Sequence, residues 1–137
     1  MFSREKRSEI MSNIKNQNTK PELLIRSLLH KMGYRFRLHR KDLPGRPDLV
    51  LPKYKTVIFI HGCFWHQHPN CKKATIPKRN REFWLKKLTR NMERDQQVIE
   101  ELESMGWNII IIWECQVKKN IKEVMDKITG QLIKNVF

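Results

Sequence analysis

Between residues 61 and 71 the chain reads HGCFWHQHPNC. Cys63, His68 and Cys71 stand at C-x4-H-x2-C spacing. Three soft or borderline donors so close together suit a tetrahedral ion such as zinc. A closed structural site needs a fourth donor, and two residues are placed to supply it. One is Cys115, the third and last cysteine, just past the apolar run NIIIIWE; the other is His66, inside the loop. Phe64 and Trp65 sit between the ligands. Either one of them packs inward, or together they form a rigid apolar wedge that opens a base step, as apolar wedges do at a cost of a few kcal/mol. Mispaired or weakly stacked steps open more cheaply, so such a wedge would select damaged sites.

A second set of residues is acidic. In PGRPDLVLPKYKTVIFIH, Asp48 opens one expected strand and His61 closes the next. A short turn between the strands would bring the two positions together. There a carboxylate could hold Mg²⁺ against a scissile phosphate; the plainer alternative for an Asp after a Pro is a turn cap. Further on, Leu88, Met92, Val98, Ile99 and Leu102 form the apolar stripe of an expected long helix, and Asp95 falls on it. A carboxylate that faces a core needs a partner, and His66 is the natural one. Glu22 extends the Ile25, Leu28, Leu29 face by a turn. It also fits a capping box with Thr19, and the two roles are compatible.

These groups need elements to place them. TKPELLIRSLLHKMG has the marks of a helix: Thr19 before it, Pro21 in its first turn, Gly33 at its end. YRFRL alternates like an edge strand. DLVLP and TVIFI read as paired strands around PKYK. A helix is expected from about Arg79 to Met105. NIIIIWE reads as a strand buried on both faces, and a last amphipathic helix from about Lys119 to Ile133. The sum is one α/β domain over 1–137, a small mixed sheet flanked by helices. SREKRSEIMSNIK predicts a short basic helix within an N-terminal arm, 1–18.

Composition narrows the partner. There are 28 Lys+Arg against 14 Asp+Glu, a formal charge of +14 with a pI near 10.1. That balance on so small a chain points to a polyanion, nucleic acid before an anionic membrane. No apolar run approaches the roughly 18 residues that a membrane span needs. MFSREKRSEI lacks the apolar centre of a signal peptide. The expectation is a cytoplasmic protein, with cysteines that bind metal or lie buried rather than form disulfides. The segment Lys72–Arg94 alone carries nine Lys/Arg and two Glu, a source of phosphate contacts.

PGRPDLVLP, VIFIHGCFWH with the His and Cys that follow, FWLKKLTRNMERD and GWNIIIIWEC occur in this order along nearly the whole chain. Together they resemble the very-short-patch repair (Vsr) endonucleases. The resemblance implies a restriction-endonuclease-like fold and a DNA mismatch nickase that cuts 5′ of the thymine in T:G pairs left by deaminated 5-methylcytosine. It implies catalytic Mg²⁺ on Asp48 and the main-chain carbonyl of Ile60. His66 becomes the general base, Asp95 its orienting acid and Glu22 a supporting acid. His61 stands where many nucleases carry an acid or a lysine. Structural Zn²⁺ falls to Cys63, His68, Cys71 and Cys115. Phe64 and Trp65 become the major-groove wedge and Met11 a residue entering from the minor groove. The implied partner is double-stranded DNA with a T:G mismatch, met at the nucleoid, with room for downstream repair proteins; one domain carrying one site suggests a monomer. A non-catalytic zinc-containing DNA-binding module, or a nuclease of the same fold with another target, remains the alternative.

Overall fold

The computed structural model describes residues 19–135. Met11 and the rest of the expected arm lie outside the described residues. Among the described residues ten elements follow one another. They begin with helix α1, Lys20–Lys31, and strand β1, Arg37–Leu38. Strand β2 is Leu49–Leu51 and strand β3 is Thr56–His61, with a 3-10 turn, Pro52–Tyr54, between them. A second 3-10 turn, Lys72–Ala74, precedes the long helix α2, Arg81–Ser104. Strand β4, Asn108–Trp113, is followed at once by helices α3, Glu114–Lys119, and α4, Ile121–Lys134.

The four strands form one mixed sheet in the order β1-β2-β3-β4. β2 and β3 are antiparallel, with Leu49 opposite Ile58 and Leu51 opposite Thr56. β3 and β4 are parallel, from Thr56 opposite Asn108 to His61 opposite Trp113. Parallel neighbours need a long crossover, and α2 provides it. Alternation along the strands divides the core in two. Leu49, Leu51, Ile58, Ile110 and Ile112 face α1, α3 and α4, where Ile25, Leu29, Val124, Ile128 and Leu132 meet them. Val50, Val57 and Phe59 face the other way and pack with Leu102 and Trp107. Helices therefore cover both faces, the mixed α/β architecture that the restriction-endonuclease-like reading requires. Among the described residues, no helix is long and apolar enough to cross a membrane.

Several sequence expectations shift. NIIIIWE was expected to be buried on both faces, but β4 is an edge strand. Only Ile110 and Ile112 are fully covered, while Ile109 and Ile111 stay half-exposed against the second core. The edge strand expected at YRFRL shrinks to two ladder residues, Arg37 and Leu38. The last amphipathic helix forms as expected, at Ile121–Lys134, but a short helix that was not expected, Glu114–Lys119, precedes it. Asn120 separates the two with a non-helical backbone (φ −157°, ψ 88°), and its side chain accepts from the Glu123 amide at 3.1 Å, capping α4. Met92 is 48 % exposed, so it leaves the core stripe of α2. Thr19 makes no side-chain cap, and the capping box does not form, because Glu22 is drawn into the interior.

Candidate active site and metal centre

The stripe that α2 turns inward runs Trp84, Leu88, Asn91, Asp95, Val98, Leu102, at alternating spacings of four and three residues. Residues so spaced share one helix face. Its C-terminal part enters the second core, and its N-terminal part lies against the loop that follows β3. That loop winds tightly: the His66 amide donates to the Gly62 carbonyl at 3.1 Å and the His68 amide to the Cys63 carbonyl at 2.9 Å. Gln67 takes a left-handed backbone (φ 51°), and its side-chain amide donates to the Phe64 carbonyl at 2.7 Å. The winding turns Cys63 and His68 to one side and His66 to the other.

On the first side, His68 Nδ1 lies 3.7 Å from Cys63 Sγ and 3.3 Å from Cys115 Sγ. The ligand atoms of Cys63, His68, Cys71 and Cys115 all lie within 4.8 Å of one another. A tetrahedral ion with bonds of about 2.0 to 2.3 Å sets its ligands about 3.5 Å apart, so the four donors fit one. Cys115, on the first turn of α3, completes the set rather than His66. The His68 ring is stacked on Trp113, 4.3 Å between centroids, which fixes its plane. Burial pushes the Cys63 thiol up to about 12. Cys71 is lowered, chiefly by the Lys73 amide hydrogen bond.

On the other side, His66 Nδ1 is 2.6 Å from Asp95 Oδ2. With Asp95 ionised, Nδ1 donates to it, and Nε2 keeps its lone pair for the cleft. The ring lies flat on His61, 3.8 Å between centroids and 7° between planes. His61 is 7 % exposed and pressed against Phe59 and Trp113. Burial, then His66, lower its pKa to about 4. It is a neutral ring at ordinary pH, and its Nδ1 has no hydrogen-bond partner.

Asp48 lies immediately before β2, after the turn that contains Gly45. A Cβ at Gly45 would stand 2.5 Å from Val98 Cγ1, and its φ of +74° favours glycine. The turn can thus lie close on α2. Asp48 Oδ2 accepts from the Ile60 amide at 2.7 Å. Burial raises the Asp48 pKa to about 7; the Ile60 hydrogen bond opposes this, and the neighbouring Glu22 carboxylate adds to it. Glu22, 2 % exposed, bonds to Arg26 at 3.2 Å and to His39 at 3.0 Å. Glu22, Asp48, His61, Phe64, Trp65, His66 and Asp95 line one open cleft of about 470 Å³. Converging carboxylates at such a cleft suit a hard divalent cation.

Phe64 and Trp65 are half-buried on the cleft wall. They meet each other edge-on at 5.1 Å, and each meets Trp84, at 5.5 and 6.1 Å. Phe83 joins at 5.3 Å from Trp84, and Asn91 holds the Trp65 carbonyl at 3.2 Å. The pair is therefore backed by α2 rather than free-standing. Asn91, at the cleft, and Trp84, behind Phe64 and Trp65, escaped sequence reasoning, although their spacing from Asp95 on the helix could have exposed them; Arg94 also lines the cleft, and its spacing does not mark it. His39 escaped it as well, and nothing in its spacing marks it.

The family description "DNA mismatch endonuclease Vsr" matches residues 1–73. Type II nicking enzyme V.NmeAIP of Neisseria meningitidis serogroup A is 50% identical over 118 residues, 86% of this chain and 84% of that protein. The chain belongs to the Vsr family of DNA mismatch endonucleases. Type II nicking enzyme V.XorIIP of Xanthomonas oryzae is 46% identical over 116 residues, 85% of each chain. DNA mismatch endonuclease Vsr of Escherichia coli is 41% identical over 126 residues, 92% of this chain and 80% of its own. In this Vsr chain, then, the cleft and the cysteine cage occupy the two faces of one loop.

Proposed function

We propose that this Vsr endonuclease nicks one strand 5′ of the thymine in T:G mismatches, with Mg²⁺ in the cleft and structural Zn²⁺ in the cysteine cage. One observation carries the reading: the His66–Asp95 pair opens onto the same cleft as the Asp48 carboxylate, with Phe64 and Trp65 on its wall. Asp48 and the Ile60 carbonyl would hold the cation, with Glu22 in support. Bound there, Mg²⁺ supplies charge stabilisation to the scissile phosphate and its leaving oxygen. His66 Nε2 takes a proton from the attacking water, and Asp95 keeps the ring in the tautomer that allows it. His61 remains neutral and gives His66 a flat apolar wall. Phe64 and Trp65, steadied by Trp84, enter the stack from the major groove and select the pair that opens cheaply. Met11 would enter from the minor-groove side. Cys63, His68, Cys71 and Cys115 tie the loop to α3, so that the aromatics cannot recoil.

The test is strand-specific cleavage of end-labelled duplexes carrying T:G or T:A at one position, with and without Mg²⁺. A single nick 5′ of the mismatched thymine, dependent on Mg²⁺ and absent from T:A, is expected. Binding without cleavage would return the chain to the class of DNA-binding modules. Equal cutting of both duplexes would make it a nuclease for intact sequence.

A further inference from the structure

His39 has no place in the mechanism above, yet the fold spends an unusual conformation on it. Its φ is +46°, a region that non-glycine residues seldom enter. Its amide donates to the Asp48 carbonyl at 3.3 Å, one step beyond the β1–β2 ladder. The ring is 12 % exposed and belongs to the lining of the cleft. Nε2 stands 3.0 Å from Glu22 Oε1 and 4.0 Å from Asp48 Oδ1. The ligand atoms of Glu22, His39 and Asp48 all fall within 4.8 Å of one another.

Those separations are those of ligands around one ion. Octahedral bonds of about 2.1 Å put adjacent ligands about 3.0 Å apart and opposite ligands about 4.2 Å apart. The Glu22–His39 distance matches the first and the His39–Asp48 distance nearly the second. We propose that His39 is a nitrogen ligand to the cleft's divalent cation, beside Glu22 and Asp48, and that it shifts the site's preference towards Mn²⁺. The proposal rests on the reading that Asp48 holds a cation.

The chemistry follows from donor type. Carboxylates, carbonyls and water favour Mg²⁺, whereas an imidazole favours borderline transition ions. With Glu22 ionised, His39 Nε2 carries the hydrogen that now points at it. On metal binding that nitrogen offers its lone pair instead, and the ring hydrogen sits on Nδ1 after exchange with water. The ring is neutral before and after, so no charge is left over.

The test uses the full zinc-loaded chain and Mn²⁺ as the probe. Free Mn²⁺ is followed by its paramagnetic resonance signal, and the bound ion by electron-spin-echo spectroscopy, which detects a directly bonded nitrogen. Three proteins are compared: the natural chain, His39→Gln and Asp48→Ala. The natural chain should show nitrogen modulation on bound Mn²⁺. His39→Gln should lose the modulation and bind Mn²⁺ about tenfold or more weakly, while Mg²⁺ affinity, measured by competition, changes far less. Modulation that persists in His39→Gln, or that is missing from the natural chain, overturns the proposal and leaves Asp48 untouched. If Asp48→Ala binds Mn²⁺ as the natural chain does, the cation reading of Asp48 itself fails, and His39 falls with it.

Discussion

At the residue scale, the cleft sets two carboxylates to different tasks through their surroundings. Asp95 meets an imidazole at 2.6 Å and serves that ring. Asp48 is crowded by burial and by Glu22, and its carboxyl is pushed up to about 7. The consequence for stability has a definite sign. A carboxyl raised in the folded state holds a proton that the unfolded chain releases, so stability falls as pH rises between about 4 and 7. In zinc-loaded protein without Mg²⁺, the Tm contribution of this group should decline across that window. Asp48→Asn should flatten the decline, as thermal unfolding at a series of pH values would show. A divalent cation competes with the same proton, so added Mg²⁺ should raise Tm more at pH 8 than at pH 5. Asp95→Asn keeps the shape of its partner but favours the wrong tautomer of His66. Single-turnover nicking should drop about 10²- to 10⁴-fold, with DNA affinity nearly unchanged in a gel-shift assay. Equal losses in both measurements would make Asp95 a folding residue only.

At the element scale, the four donors that could hold one ion beside the loop after β3 come from three places: the loop itself, the turn at Cys71 and the first turn of α3. Cys115→Ser should loosen this junction. Zinc should then dissociate at lower chelator concentrations, and Tm should fall. Reloading metal-stripped protein releases protons, because the Cys63 thiol, at about 12, is protonated without metal. Calorimetry in buffers of different ionisation enthalpy would count them, and the variant should release fewer. This is also the scale at which sequence reading fares unevenly. The spacing of Cys63, His68 and Cys71, and the helical position of Asp95, are legible because ligand distance and helix period act over a few residues. Cys115 stays open beside His66 in the sequence, since the choice depends on β4 lying parallel to β3 and on a helix that starts directly after it. The short helix Glu114–Lys119 goes unread, because six residues are too few to show a helical period. His39 is invisible for a different reason: its task arises from a left-handed turn and from two acids that only the folded chain brings near.

For the whole molecule, a formal charge of +14 suits a polyanion, and phosphates are the groups it would meet on DNA. The Lys/Arg-rich stretch from Lys72 to Arg94 covers the end of α2 that carries the aromatic cluster, and Lys87 lies 5.6 Å from the Trp65 ring centre. A plot of log affinity for duplex DNA against log salt should be linear, with a slope of about −0.9 per phosphate contacted. Lys87→Ala should reduce the slope by about that amount for T:G and T:A duplexes alike. Trp65→Ala should instead leave the slope alone and narrow the difference between the two duplexes. A salt-independent affinity would remove DNA from the account.

Trp84 and Asp95 are eleven residues apart on α2. At 3.6 residues per turn this is just over three whole turns, so Trp84, which backs Phe64 and Trp65, and Asp95, which meets His66, point the same way. One extra residue between them would swing the acid about 100° off its target while the tryptophan stayed put. This stretch can therefore tolerate changes of letter but not of length. Any lineage that gained or lost a residue here would need a repair elsewhere to keep both groups against the loop after β3.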